Sequence, residues 1–190
     1  RDDVESRGLG DVYKRQNGKS VNNYDRRYRG FTTLREAITD SINIVTVKTL
    51  AQAGVSLGWQ YVQEYGFTTV DSRDMNEALA LGGITQGVSN LELTAAYAAI
   101  ANQGTYIKPK FYTKILDHDG NVLIDNTTPE SHTVIKDTTA WLLTSAMEDV
   151  MTSGTGTSAY FGSSMAQAGK SGTTTSSRDA LFAGYTCLLY

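Results

Sequence analysis

Two short runs carry side chains able to act as acid, base or anion receptor: Ser41-Ile42-Asn43 and Lys170-Ser171-Gly172-Thr173. In the first, a hydroxyl and an amide stand two residues apart, and both can project into a cleft to move a proton or hold a polar group. The triplet alone is a weak signal, because Ser-x-Asn arises by chance about once in every two chains of this length. A second one, Ser20-Val21-Asn22, lies in a polar stretch with no apolar helix after it and reads as plain loop. Ser41 and Asn43 lie between two helical runs, where capping a helix N-terminus is an equally good reading of either residue. Lys-[Ser/Thr]-Gly is rarer, expected about once in ten such chains. A lysine charge beside hydroxyls on a strand, with a glycine admitting a ligand to the backbone, makes a docking edge for an extended peptide bearing a carboxylate. The competing reading is an edge strand with a solvated lysine.

Other chemistries find little support. His118 falls in an expected turn and His132 in a polar segment, where lone histidines are usually solvated. Asp117, His118 and Asp119 are adjacent, and three neighbours rarely converge on one ion, so a hairpin turn explains them better than a metal. No metal and no cofactor are expected. The single cysteine, Cys187, excludes an internal disulfide and a cysteine-based zinc site. A net charge of −3 with scattered lysines and arginines gives no basic face for nucleic acid. No apolar run reaches membrane-span length, so any anchor or export signal is expected outside the chain.

The 190 residues, 40% hydrophobic and 19% charged, suit one folded domain. Its ends look foreign. Arg1 to Gln16 has neither helical nor strand periodicity, and Cys187 to Tyr190 breaks off directly after an apolar strand-like run. Both resemble translated sequencing adaptors, with a natural arm and C-terminus as the alternative. Residues 17–186 are therefore expected to be a partial domain, with 1–16 and 187–190 non-native.

Within it, Thr33-x-x-Glu36 has capping-box spacing before a helix with Leu34, Ala37 and Ile38 on one face, ending near Asp40. A helix over 43–53 follows, placing Ile44, Val47, Leu50 and Ala51 together, with Gly54 as a left-handed cap. Another runs from Leu57 to Tyr65, with Ser56 as N-cap and Gly66 as stop. The stretch 68–76 reads as irregular. Ser89-x-x-Glu92 is a second capping box, opening an apolar helix that reaches the cap at Gly104. The period then changes: Tyr106 to Leu116 and Val122 to Ile124 read as β, joined by a turn at Asp117 to Gly120. Asp137 can cap a helix whose apolar face is Trp141, Leu142, Ala146, Met147, Val150 and Met151. Residues 169–175 and 180–185 read as two strands joined by the turn around Ser176 to Asp179. Helices followed by an antiparallel sheet give an α+β class. The block from Leu81 to Gly104 carries no acid, base or ligand cluster and reads as packing.

These residues together resemble the transpeptidase domain of penicillin-binding proteins, in the serine β-lactamase-like group, whose signatures are Ser-x-x-Lys, Ser-x-Asn and Lys-[Thr/Ser]-Gly. The last two occur in family order. The surrounding text is similar as well: YRGFTTLREAITDSINIVTVKTL, the LGG…QGVS.LEL..AYA..AN.G block, and AGKSGTT…DALFAGYT. This text is most like the bifunctional class A synthases and covers nearly all of residues 24–186. The resemblance implies a partial penicillin-binding/β-lactamase-like fold, with helices packed on an antiparallel sheet.

It also implies roles. A Ser-x-x-Lys serine would attack a D-Ala-D-Ala stem peptide with its lysine as base, and a neighbouring amine would capture the acyl-enzyme. Ser41 would relay the proton to the leaving amine, and Asn43 would orient that lysine and hold the substrate amide. Lys170 would support the electrostatics of the cleft. Ser171 and Thr173 would hold the terminal carboxylate of substrate or penicillin, and the Thr173 N–H would give half the oxyanion hole. Gly172 and Thr175 complete the expected substrate-binding set. No Ser-x-x-Lys occurs in the chain, so the chain alone is expected to be inactive. The implied partners are peptidoglycan stem peptides, β-lactams and a glycosyltransferase domain in the parent protein. That parent would be a single-pass protein at the extracytoplasmic face of a bacterial membrane. A non-catalytic peptidoglycan-binding or β-lactam-sensing module, or a D,D-carboxypeptidase, are the other readings.

Overall fold

The computed structural model describes residues 9–10, 20–162, 164–174 and 179–186. Thr175, Cys187 and most of 1–16 lie outside that set. Within it, Leu9–Gly10 (β1) pairs antiparallel with Phe31–Thr32 (β2), where no strand periodicity is legible.

The Thr33 capping box forms as expected and starts α1 (Leu34–Thr39). Thr33 Oγ1 accepts the Glu36 N–H at 3.2 Å, and the Glu36 carboxylate accepts the Thr33 N–H at 2.8 Å. Helix α2 (Asn43–Ala53) has no such local device, because its N-cap is Ile42. The cap comes instead from 21 residues upstream: buried Asn23 accepts the Ile44 N–H through Oδ1 at 3.2 Å and donates through Nδ2 to Arg27 O at 2.9 Å. This anchors a helix whose Ile44, Val45 and Val47 are fully buried. Val21 packs on Ile44 and Val47 on one side, while Ala37 and Ile42 pack on Val45 on the other.

Gly54 has φ 101 and ψ 123, so it is not the left-handed cap expected. It is a one-residue junction into α3 (Val55–Glu64). Ser56 consequently lies inside the first turn of α3 and is not its N-cap. At the far end Gly66, φ 84, closes the helix, and the Tyr106 ring fills the space a Cβ would need. The irregular stretch contains a short 3-10 turn, Ser72–Asp74, followed by a second over Glu77–Leu81. Asp74 is buried and accepts from Thr85 N–H at 2.8 Å and from Asp71 N–H at 3.1 Å, pinning the glycine-rich loop that follows Leu81.

The second capping box opens α4 (Asn90–Ala101). Its Glu92 carboxylate also accepts Thr68 Oγ1 at 2.7 Å and Thr68 N–H at 2.9 Å. These bonds, the Thr68 hydroxyl first, hold its carboxyl down to about 2. The expected β run splits into β3 (Thr105–Ile107) and β4 (Lys114–Leu116), with Pro109 between them. Strand β4 pairs with β5 (Val122–Asp125) across the Asp117 turn, and β3 pairs with β6 (Ser131–Thr133). Asp117 serves that turn by accepting the N–H groups of Asp119 and Asn121.

Helix α5 (Asp137–Thr152) has Lys136 at its N-cap position with no side-chain cap bond, so Asp137 is its first helical residue rather than its cap. Its buried stripe is Ala140, Ala146, Met147, Val150 and Met151, while Trp141 and Leu142 are 67% and 49% exposed. The expected face was too wide: each residue turns the helix by about 100°, which carries Trp141 and Leu142 out of the stripe. That stripe packs on β7 (Gln167–Thr173), which pairs antiparallel with β8 (Ala180–Thr186). Among the described residues the strands form four separate two-stranded ladders, and helices packed on β7 and β8 give the α+β class. Arg35 ties α1 to α5 through Asp149 Oδ2 at 2.8 Å and Ser145 O at 3.1 Å.

Asn23→Ala should lower unfolding stability by about 1–2 kcal/mol, since it removes a cap and leaves a buried N–H unpaired. Urea unfolding followed by circular dichroism reads this directly, and an unchanged midpoint would exclude the remote cap.

Candidate active site

The site begins with the way α1 stops. Its C-cap is Asp40, Ser41 N–H donates to Ile38 O at 3.3 Å, and Ile42 N–H donates to Ala37 O at 2.9 Å. Those two bonds and the Ile42–Ala37 contact make a Schellman ending. Such an ending places one residue in left-handed backbone, where glycine is usual. Here that residue is Ser41, at φ 55. A side chain in that conformation costs about 1–2 kcal/mol, and a serine occupies it here. Neither Ser41 nor Asn43 caps a helix N-terminus, a position held by Ile42, so that alternative is excluded.

The Ser41 hydroxyl meets the end of the second motif. Lys170 Nζ donates to Ser41 Oγ at 2.8 Å and to Ser171 O at 2.9 Å. Lys170 sits opposite Ala183 on β7, where the strand passes from buried Gln167–Gly169 to exposed Gly172–Thr173. The ammonium is half-buried, and that burial lowers its pKa below the ordinary 10.5. A lysine so placed holds a serine hydroxyl in one direction and can exchange protons with it. Asn43 is the first residue of α2, and its Nδ2 donates to Asn22 O at 3.1 Å. The stretch read as plain loop therefore supports the first motif directly.

Gly172 differs from its neighbours. A Cβ there would meet nothing within 4 Å, whereas one on Gly169 would run into the Phe182 ring and Ala183 O. A side chain at 169 would have to displace the Phe182 ring, whereas 172 is open, at the exposed end of the strand beside Thr173.

Sequence reasoning missed one residue of the cluster. Ser171 Oγ donates to Thr155 Oγ1 at 2.8 Å. Thr155 lies in the loop after α5, and its N–H donates to Thr39 O at 3.2 Å. The available signal was Gly154-Thr155-Gly156 directly after an amphipathic helix, a spacing that permits a close backbone approach. His132 is exposed, as expected, although its Nε2 lies 2.9 Å from Glu64 O and its ring meets Tyr106 at a tilted angle. No cluster of three or more metal-ligating side chains occurs among the described residues.

The family model described as the penicillin binding protein transpeptidase domain matches residues 10–186, and the chain belongs to that family. Among its relatives, penicillin-binding protein 1F of Bacillus subtilis is 39% identical over 170 residues, covering 86% of this chain and 23% of that protein. Penicillin-binding protein 1A of Clostridium acetobutylicum is 36% identical over 166 residues, covering 86% and 20%. The chain thus spans about a fifth to a quarter of the length of these relatives. Its fold is similar to that of penicillin-binding protein 1A from Haemophilus influenzae, with a TM-score of 0.79 at 24% identity over 94% of this chain and 32% of that one. It is equally similar to PonA1 from Mycobacterium tuberculosis, with a TM-score of 0.79 at 22% identity over 98% and 53%. No helix among the described residues is long and apolar enough to cross a membrane.

Two outcomes follow from the Ser41–Lys170 geometry. Ser41→Gly should be more stable than Ser41→Ala by about 1 kcal/mol, against the usual helix-scale order, because only glycine relieves the left-handed backbone; thermal unfolding of both variants decides it. Lys170 should titrate below the ordinary lysine value of 10.5 when followed by side-chain NMR. Between that lowered pKa and 10.5 the unfolded chain binds more protons at Lys170. Stability relative to Lys170→Met should therefore rise with pH across that window.

Proposed function

We propose that this chain supplies the proton-relay and carboxylate-receiving side of a serine D,D-transpeptidase cleft. The observation that carries the reading is the 2.8 Å bond between Lys170 Nζ and Ser41 Oγ, which joins the two motifs across the fold. In the reaction, a serine from outside this chain attacks the carbonyl of the penultimate D-alanine, its proton passing to a neighbouring lysine. The C–N bond to the last D-alanine breaks, and the leaving amine takes a proton through Ser41. An amine from a second stem peptide then attacks the ester, forms the cross-link and frees the serine. Asn43 orients the base lysine and holds the substrate amide. Ser171 and Thr173 receive the terminal carboxylate under the field of Lys170, and the Thr173 N–H provides half the oxyanion hole. The open surroundings of Gly172 suit a ligand lying against the backbone. β-Lactams acylate the same serine.

This chain holds no Ser-x-x-Lys, and alone it is inactive. The parent protein carries a glycosyltransferase domain and an N-terminal anchor that holds it at the extracytoplasmic face of a bacterial membrane.

Replacing the matched segment of Bacillus subtilis penicillin-binding protein 1F with residues 17–186 of this chain tests the proposal. The chimera should take up labelled penicillin and cross-link stem peptides, and Ser41→Ala or Lys170→Ala should lower acylation by about 100-fold or more. The 190-residue chain alone should take up none. A folded chimera that is never acylated would leave a binding module. One that releases D-alanine without cross-linking would be a carboxypeptidase.

A further inference from the structure

Resting on the reading of Ser171 as a carboxylate receiver, we propose that Thr155 is a positioning residue that aims the Ser171 hydroxyl at the incoming carboxylate.

The loop that carries Thr155 is held by its backbone. Its N–H donates to Thr39 O at 3.2 Å, and the Gly156 N–H donates to Val150 O at 2.9 Å. A Cβ on Gly154 would collide with Thr39 O. These contacts fix the loop without using the threonine hydroxyl. That hydroxyl is instead placed 2.8 Å from Ser171 Oγ, on the partly exposed section of β7.

A closed circuit results. Ser41 bonds Lys170, Lys170 is followed by Ser171, Ser171 bonds Thr155, and Thr155 bonds Thr39, two residues before Ser41. Relay side and receiver side are thus referred to one point, the end of α1.

Each hydroxyl offers one proton and two acceptor positions. Without ligand, Ser171 donates to Thr155 Oγ1. When a carboxylate arrives, Ser171 turns its proton to the anion and Thr155 donates its own proton to a Ser171 lone pair. Ser171 stays satisfied in both states, and the second bond polarises the first. Thr155 never touches the ligand. Its effect should therefore fall on ligands with a free terminal carboxylate and spare those without one.

The test uses the full 190-residue chain, 15N-labelled, with two probes: N-acetyl-D-Ala-D-Ala and its C-terminal amide. Shifts of the Gly172 and Thr173 amides give both dissociation constants. The chain should prefer the acid. Thr155→Val should weaken acid binding by about five- to tenfold and leave the amide unchanged, while Thr155→Ser should behave as the parent sequence. Circular dichroism checks folding; if Thr155→Val does not fold, Thr155→Ala carries the same comparison. Equal losses for both probes, or an unchanged acid constant, overturns the role of Thr155. Ser171→Ala separates the two levels. If it collapses the acid preference and Thr155→Val does not, only the positioning role falls. If the unaltered chain shows no acid preference, or Ser171→Ala leaves that preference intact, the carboxylate reading falls and this role with it.

Discussion

The constraint on which the site rests is the left-handed turn at Ser41. A helix can stop in many ways, but this ending fixes two N–H bonds and an apolar contact around one residue, leaving its side chain little choice of direction. The backbone strain is local and small beside the support around it. Ala37 and Ile42 are buried against Val45, and Arg35 ties the same short helix to α5. A residue held in a sparsely populated conformation persists only where its surroundings over-determine it. Those surroundings are present here, so the hydroxyl can occupy a place that glycine would fill more cheaply.

The second half of the site depends on the first through Lys170. Partly desolvated lysine is uncomfortable as a cation, which is why its pKa falls. The serine hydroxyl and Ser171 carbonyl supply the acceptors that make its position tolerable. Position and proton affinity therefore share one physical origin. The packing of α5 on β7 keeps the strand at the depth where this balance holds.

Much of this was legible wherever the signal was local. Both capping boxes formed with their residues as read, because each closes within one helical turn. The hairpin at Asp117 formed for the same reason. Failures came where a distant residue did the work. Ile42 is an impossible side-chain cap, and nothing near it announces Asn23. Ser56 and Asp137 are good cap types, yet the chain starts each helix earlier or one residue off, at Gly54 and Lys136. Trp141 and Leu142 are apolar but lie beside the stripe that β7 covers. At the site, both motifs could be found by type and spacing. Thr155 carried only the weaker Gly-Thr-Gly signal, which permits a close backbone approach but does not say which strand it meets.

The bond between Lys170 and Ser41 spans 129 residues of chain, whereas the capping box before it spans three. Closing so long a loop costs entropy that only the packed intervening helices return. Contacts of this kind belong to the late part of assembly, after local elements have formed. A chain that has made its helices but not yet docked β7 against α5 has a solvated lysine, even where the Ser41 turn has already formed. The pair becomes a pair only on completion of the fold, so the cleft cannot run ahead of the structure that contains it.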